Sequence, residues 1–172
     1  MPASLNLTIR PLEHEDRIPV VELDESLTGT SRGDYWGQVL DSLAREAGGI
    51  GLVAVDAEGL RGYLFGELRA FEFGSERCGW ILALGVQPGT TRQGVASALV
   101  DEARRRFRAL GVRYVRTMVQ RTDVPLLSLF RSQSFVGGPF VQLELDISGD
   151  PIAGATTSKD RQTVPPGPTQ EN

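Results

Sequence analysis

The sequence predicts an α/β domain of the α+β kind: one mixed central sheet with helices on both faces. Three observations predict it. Segments of strand periodicity and of helical periodicity alternate through residues 1–147. Three strand-like segments between Gly51 and Val86 are joined by turns too short for a crossover, so they must run antiparallel. The strand–helix–strand order that follows favours parallel pairing. At 172 residues the chain fits one domain, since domains run to roughly 100–200 residues.

The elements follow in order. Leu5 to Arg10 alternates apolar and polar residues and reads as a strand, ended by Pro11. Asp16 to Leu27 carries Ile18, Val21 and Leu23 on an irregular apolar face and reads as a short helix. Gly29 to Gly33 breaks it. Asp34 can cap a second helix, Tyr35 to Ala47, with Trp36, Val39, Leu40 and Leu43 at helical spacing. Gly48 and Gly49 stop that helix. Gly51 to Val55 is a buried-type strand, turned by residues 56–59 into a long strand, Leu60 to Phe73. Gly79 to Val86 is the third strand of the meander, closed by Pro88-Gly89. The longest helix runs from Gln93 to Leu110 and stops at Gly111. Arg113 to Val119 alternates as a strand. Val124 to Gln133 is a short helix with Leu126, Leu127, Leu129 and Phe130 on its apolar side. Phe140 to Ile147 alternates again and is expected to close the core as a last strand.

Two domain-scale features frame this. Residues 148–172 are rich in Pro, Gly, Ser and Thr and have little to bury, so they read as a disordered tail behind a domain of residues 1–147. No stretch approaches the roughly 18 consecutive apolar residues of a membrane span. The first residues lack a charged leader with an apolar run, so no signal peptide is expected. Cys78 is the only cysteine, which excludes an internal disulfide and fits a cytoplasmic protein.

Charge narrows the function. A net charge of −4 argues against a nucleic-acid binder. The balance is uneven, with seven arginines against two acids between Asp101 and Arg121. The cluster at 104–108 reads as a solvated helix face, with a phosphate or an acidic partner as the alternative. One histidine, His14, rules out a three-histidine metal site, and one cysteine rules out cysteine-rich zinc, so no metal is expected.

The stretch that carries chemistry is Leu82 to Asp101. A buried strand enters a Pro-Gly turn and a short polar loop, and Gly94-Val95-Ala96 opens the long helix. The first turn of a helix has four backbone N–H groups without internal partners and a partial positive charge. Small residues at 94, 96 and 97 let a ligand approach the backbone. That geometry binds phosphate, and Arg92 adds a charged contact.

Thr91-Arg92-Gln93-Gly94-Val95-Ala96 resembles the coenzyme A motif of the GCN5-related N-acetyltransferase superfamily, Gln/Arg-x-x-Gly-x-Gly/Ala between a strand and a helix. Thr91 stands where the family has Gln or Arg. A second segment, Asp123 to Phe135, resembles the family's Asn-x-x-Ala-x-x-Leu-Tyr-x-x-x-Gly-Phe. The resemblance covers about residues 5–147, and the element order agrees with it.

The resemblance implies acetyl-CoA as co-substrate and a primary amine as acceptor, either a protein lysine or N-terminus, slightly favoured, or a small molecule. Pantetheine would lie along the strand before the motif. Leu84 and Val86 would offer it backbone groups, and the Gly85 amide would polarise the thioester carbonyl. Residues 91–97 (Thr91, Arg92, Gln93, Gly94, Val95, Ala96 and Ser97) would hold the pyrophosphate. Asp123, in place of the family's Asn, and Phe130 would flank the cofactor arm. Tyr35 and Trp36 open the helix where the family builds its acceptor site. Trp36 also fits the apolar face with Val39 and Leu40, which leaves Tyr35 as the better acceptor contact. A homodimer, with the tail 148–172 exchanged between subunits, is an option the sequence leaves open.

The departures concern proton transfer. The family's Glu base, fourteen residues before the motif glycine, aligns with Trp80, and its Tyr acid aligns with Phe130. The Gly before the final Phe is Ser134. Three readings stay open. Glu67, counted to lie near Leu82 or Ala83 on the neighbouring strand, acts as base. Or water relays the proton while proximity supplies most of the rate. Or the chain is a non-catalytic acyl-CoA-binding regulatory module. Direct attack needs no acyl-cysteine, so Cys78 is given no role. The absence of lysine before Lys159 fits either a high-GC genome or an enzyme that avoids modifying itself.

Overall fold

The computed structural model describes residues 6–90 and 93–148, with the backbone alone at Glu72. The ordered elements are β1 (Thr8–Pro11), α1 (Arg17–Thr28), α2 (Gly33–Arg45), β2 (Ile50–Asp56), β3 (Gly59–Arg69), β4 (Cys78–Val86), α3 (Val95–Ala109), β5 (Val115–Thr117) and α4 (Val124–Ser132). The described strands form one sheet in the order β1-β2-β3-β4-β5. The first four are antiparallel and β4 pairs with β5 in parallel, as the connection lengths require.

Strand alternation divides the core into two layers. Leu52, Ala54, Leu64 and Ile81 face α3 and α4, packing on Val95, Leu99, Val100, Ala103, Phe107 and Phe130. Val53, Tyr63 and Phe65 face the other way, against Val20 and Leu23 of α1 and Trp36, Leu40 and Leu43 of α2. Successive residues of β3 thus belong to opposite layers, which is the period of two that a strand imposes. Gly79 and Gly66 make room for the Phe107 ring; a Cβ at residue 79 would stand 2.5 Å from it.

Two strand expectations are corrected. The long strand ends at Arg69 and not at Phe73, because Phe71 and Phe73 take positive φ values of 63° and 48°, which no ladder accommodates. Phe140–Ile147 forms no strand, and Val141, Leu143, Leu145 and Ile147 are exposed. The described residues from 137 onward form a unit of their own. In its described part, Asp146 accepts hydrogen bonds from the amide and hydroxyl of Ser148 at 2.8 and 2.7 Å.

Candidate active site

The site begins with a strand that leaves its neighbour. β4 pairs with β5 only at Gly79, Trp80 and Ile81. The last rung is fixed by the Thr117 hydroxyl, which donates to the Ile81 carbonyl at 3.1 Å. Beyond it β4 continues to Val86 along β3 alone. Leu82 is an extra residue in this stretch: Phe65 pairs with Ala83 and Gly66 with Ile81, so Leu82 bulges out and β4 bends away from β5.

The ladder with β3 sets where the backbone groups point. The Gln87 amide donates to the Arg61 carbonyl of β3 at 2.8 Å. Alternation turns Gly85 the same way and sends the amide groups of Leu84 and Val86 to the unpaired edge. The expected role of the Gly85 amide is therefore corrected: it belongs to the β3 ladder, and Leu84 is the donor that faces the gap. Gly85 matters for another reason. Its bare Cα lies against the Tyr63 ring, where a Cβ would meet Cε1 at 2.5 Å.

The helix beside the gap opens as expected. Gly94 caps α3 with φ 84°, a left-handed conformation that glycine takes at little cost. The first helical bond runs from Ala98 to Gly94, so the amides of Val95, Ala96 and Ser97 precede it and face outward at the helix start. Gln93 is bonded through its amide to the Thr90 carbonyl at 3.1 Å. Thr91 and Arg92 lie outside the described residues. The loop before them is tied down by Arg61, which donates to Gln87 Oε1 at 2.8 Å and to Asp56 at 2.6 Å.

A sequence model of the acetyltransferase (GNAT) family matches residues 8–135. The chain belongs to this family. No curated protein matches it in sequence. Among solved structures it is similar to the aminoglycoside 6'-N-acetyltransferase AAC(6')-IG of Acinetobacter haemolyticus, at 20% identity and TM-score 0.69 over 81% of this chain and 99% of that one. It is also similar to the CoA complex of the aminoglycoside N-acetyltransferase AAC(6')-Iy, at 13% identity and TM-score 0.73 over 86% and 99%. A third is a soil-metagenome aminoglycoside acetyltransferase bound to sisomicin, at 18% identity and TM-score 0.66 over 82% and 96%. The fold is theirs, and GNAT membership makes the chain an acetyl-CoA-dependent N-acetyltransferase.

This GNAT site fits its co-substrate. The backbone edge at Leu84 and Val86 suits a pantetheine arm that pairs like a strand, and the open amides at 95–97 suit a pyrophosphate. Two expected contacts are otherwise engaged. Asp123 caps α4, accepting from the Leu126 amide at 3.0 Å. Phe130 is buried in the α3 layer, edge-on to Phe135 with ring centroids 5.0 Å apart. Glu67 stands opposite Trp80, not Leu82 or Ala83, because the ladder ends at Arg69 opposite Cys78 and the turn begins two residues earlier than the sequence placed it. Its carboxylate accepts from Arg69 Nε at 2.7 Å, and the Arg69 guanidinium lies 4.3 Å from the Trp80 ring centre.

On the α1–α2 side, an open cavity of about 440 Å³ is lined by Ser31, Arg32, Gly33, Asp34 and Tyr35. Tyr35, expected as an acceptor contact, lines this cavity. Trp36 does not: it is buried in the core, tilted on Phe65 at 5.4 Å and edge-on to Tyr63 at 6.2 Å. Sequence reasoning missed the group behind the cavity. Asp24, only 2% exposed, accepts from Arg32 Nε and Nη2 at 3.0 and 2.6 Å and from the Tyr63 hydroxyl at 2.9 Å. Trp36 Nε1, buried without a hydrogen bond of good geometry, leans on the same carboxylate. Burial pushes the Asp24 carboxyl up, yet these donors outweigh it and hold it below the ordinary range. Burial and that carboxylate push the Tyr63 phenol well above its ordinary value, so it stays protonated. The one available signal was an acid on the buried face of α1, beside Val20 and Leu23.

Proposed function

We propose that this chain transfers an acetyl group from acetyl-CoA to a primary amine that attacks the thioester directly. The observation that carries the reading is the parting of β4 from β5 after Ile81, with the Leu84 and Val86 amides turned to the gap beside the start of α3. Bound acetyl-CoA supplies the activated acyl group. The Leu84 amide is assigned to the thioester carbonyl, where a fixed donor stabilises developing charge. The Val86 backbone is assigned to the pantetheine arm.

Glu67 is assigned as the base. It faces Trp80 across the ladder, and Trp80 aligns with the family's customary glutamate. Cross-strand neighbours have Cβ atoms about 4.5–5.5 Å apart, so a carboxylate on β3 replaces the one missing from β4. Glu67→Gln should lower kcat by roughly 10²–10⁴-fold. An unchanged kcat would leave a water relay as the mechanism.

Of the two acceptor classes, a small-molecule amine is supported over a protein lysine by the similar solved acetyltransferases of aminoglycosides. The similar solved enzymes make an aminoglycoside one candidate. A cytoplasmic setting is supported by the lone buried cysteine; no helix among the described residues is long and apolar enough to cross a membrane. A homodimer is supported by the exposed apolar side chains of 141–147, and mass in solution tests it.

The deciding experiment is thermal unfolding with and without acetyl-CoA, followed by thiol release against a panel of amines and lysine peptides. A ligand at 100 times its dissociation constant adds roughly 2.7 kcal/mol of stability. Stabilisation with thiol release supports the reading and names an acceptor class. Absence of stabilisation overturns it, and stabilisation without release leaves a binding module.

A further inference from the structure

We propose that Arg32 recognises a carboxylate on the acceptor, so that the substrate is an amine that also bears an acid group. This rests on the reading of the chain as an amine acetyltransferase and deepens it. Arg32 lies in the α1–α2 connection and lines the acceptor cavity. Its side chain is 39% exposed, while that of Asp24 behind it is 3% exposed. A salt bridge with one exposed partner contributes little stability by itself. Burying a carboxylate on the apolar face of α1 carries a desolvation cost that an apolar residue would avoid. The arrangement makes sense as an orienting device.

Asp24 takes the Nε–Nη2 edge of the guanidinium, and the Trp36 ring lies 5.5 Å from its centre. Nη1 has no partner among the described residues, and the Nη1–Nη2 end remains available. A guanidinium fixed along one edge presents the other as a planar fork, which matches a carboxylate bidentately. In the same cavity Asp34 offers a carboxylate for the ammonium end of a ligand. The cavity therefore carries both charges, as an amino-acid-like ligand does. It is also close to the reacting strand. Asp24 bonds Tyr63, and the Tyr63 ring rests on Gly85, next to Leu84. Two side chains thus connect Arg32 to the gap in β4.

The test uses the full chain and matched ligand pairs: glycine and β-alanine against their methyl esters, and a peptide beginning with Glu against one beginning with Gln. Sisomicin serves as a polycationic comparison. Calorimetry in the presence of CoA reads binding, and thiol release from acetyl-CoA reads kcat/KM. The acids are expected to exceed their esters by roughly 10–100-fold, the worth of a hydrogen bond to a charged group. Arg32→Lys should reduce the ratio. Asp24→Asn with Arg32→Gln removes both charges together, so no buried charge is left unpaired, and should bring the ratio to one with the KM for acetyl-CoA unchanged. Equal acids and esters, a preference that survives the double change, or sisomicin as the best acceptor would overturn the inference. Each of those results with CoA binding intact leaves the acetyltransferase reading standing. Loss of CoA stabilisation and of thiol release with every amine would instead overturn that reading.

Discussion

The ring of Tyr63 lies against the bare α-carbon of Gly85, directly across the β3–β4 ladder. A methyl group on residue 85 would stand 2.5 Å from Cε1, 2.6 Å from Cζ and 2.8 Å from the hydroxyl oxygen. One contact therefore joins the acceptor side of the molecule to the strand that offers the Leu84 amide. Tyr63 cannot step aside freely, since its hydroxyl is held by Asp24 and its ring is stacked on Phe65 at 4.9 Å.

Gly85→Ala should be costly for that reason. Overpacking a tight site costs about 1–3 kcal/mol, and a domain of this size loses roughly 2–4 °C of melting temperature per kcal/mol. The stabilisation conferred by acetyl-CoA should shrink as well, because β4 must shift to admit the methyl. Calorimetric melting with and without acetyl-CoA checks both. An unshifted melting temperature would mean that Tyr63 moves.

Thr117→Val tests the point where the strands part. The change keeps the shape and deletes the donor to the Ile81 carbonyl. A lost hydrogen bond of this kind costs about 0.5–1.5 kcal/mol. Acetyl-CoA should also bind more weakly, since the gap would no longer start at a fixed rung. Titration calorimetry measures that loss directly.

Ser134→Gly should stabilise the chain. Ser134 has φ 66° just past the end of α4, where a left-handed residue is needed and glycine is the usual choice. Left-handed backbone costs an L-residue about 1–2 kcal/mol, and the greater freedom of glycine in the unfolded chain returns about 0.5–1 kcal/mol of that. A gain of about 0.5–1 kcal/mol in denaturant unfolding is the expected result.

Acid should weaken the fold through two buried carboxylates. Hydrogen bonds from Arg10, against the cost of burial, hold the Asp16 carboxyl below its ordinary range, and Asp24 is held low by Arg32, Trp36 and Tyr63. A depressed folded-state value means that the ionised form favours folding. That contribution is complete above about pH 5, where unfolded aspartate is ionised, and is lost as the pH falls from there through the lower folded-state values. Urea midpoints between pH 2 and 6 should slope less steeply in Asp24→Asn and in Asp16→Asn than in the parent chain.

The fold was largely legible because Gly and Pro punctuate it. Gly29, Gly48, Pro88-Gly89, Gly94 and Gly111 mark element ends that the structure keeps within a few residues. Period-two patterns were less safe. Phe71 and Phe73 continue the alternation of β3 but sit in the turn, 80% and 98% exposed. Val141 to Ile147 alternates well, yet a strand exists only with a neighbour to bond. The site was legible where backbone spacing defines it, at 84–97. It was not where packing defines it. No residue in the apolar run from Trp80 to Val86 signals a bulge, and the early end of β3 at Arg69 is why Glu67 was counted to the wrong neighbour. Asp24, Arg32 and Tyr63 lie 8 and 39 residues apart along the chain, and only folding brings them together.

Leu82 makes the gap depend on a length more than on a side chain. A bulge adds one residue to one strand and bends that strand. Without residue 82, Ala83 would follow Ile81 as Phe65 faces the rung beside Gly66, and the ladder with β3 would run on regularly. Gly85 would stay against Tyr63, but the bend that carries 83–86 away from β5 would go. The side chain itself is 37% exposed and makes few demands. Leu82→Ala should keep its response to acetyl-CoA, whereas a chain lacking residue 82 should lose it. The opening beside β4 is thus set by a count of residues, one that tolerates a change of side chain at this position and no deletion.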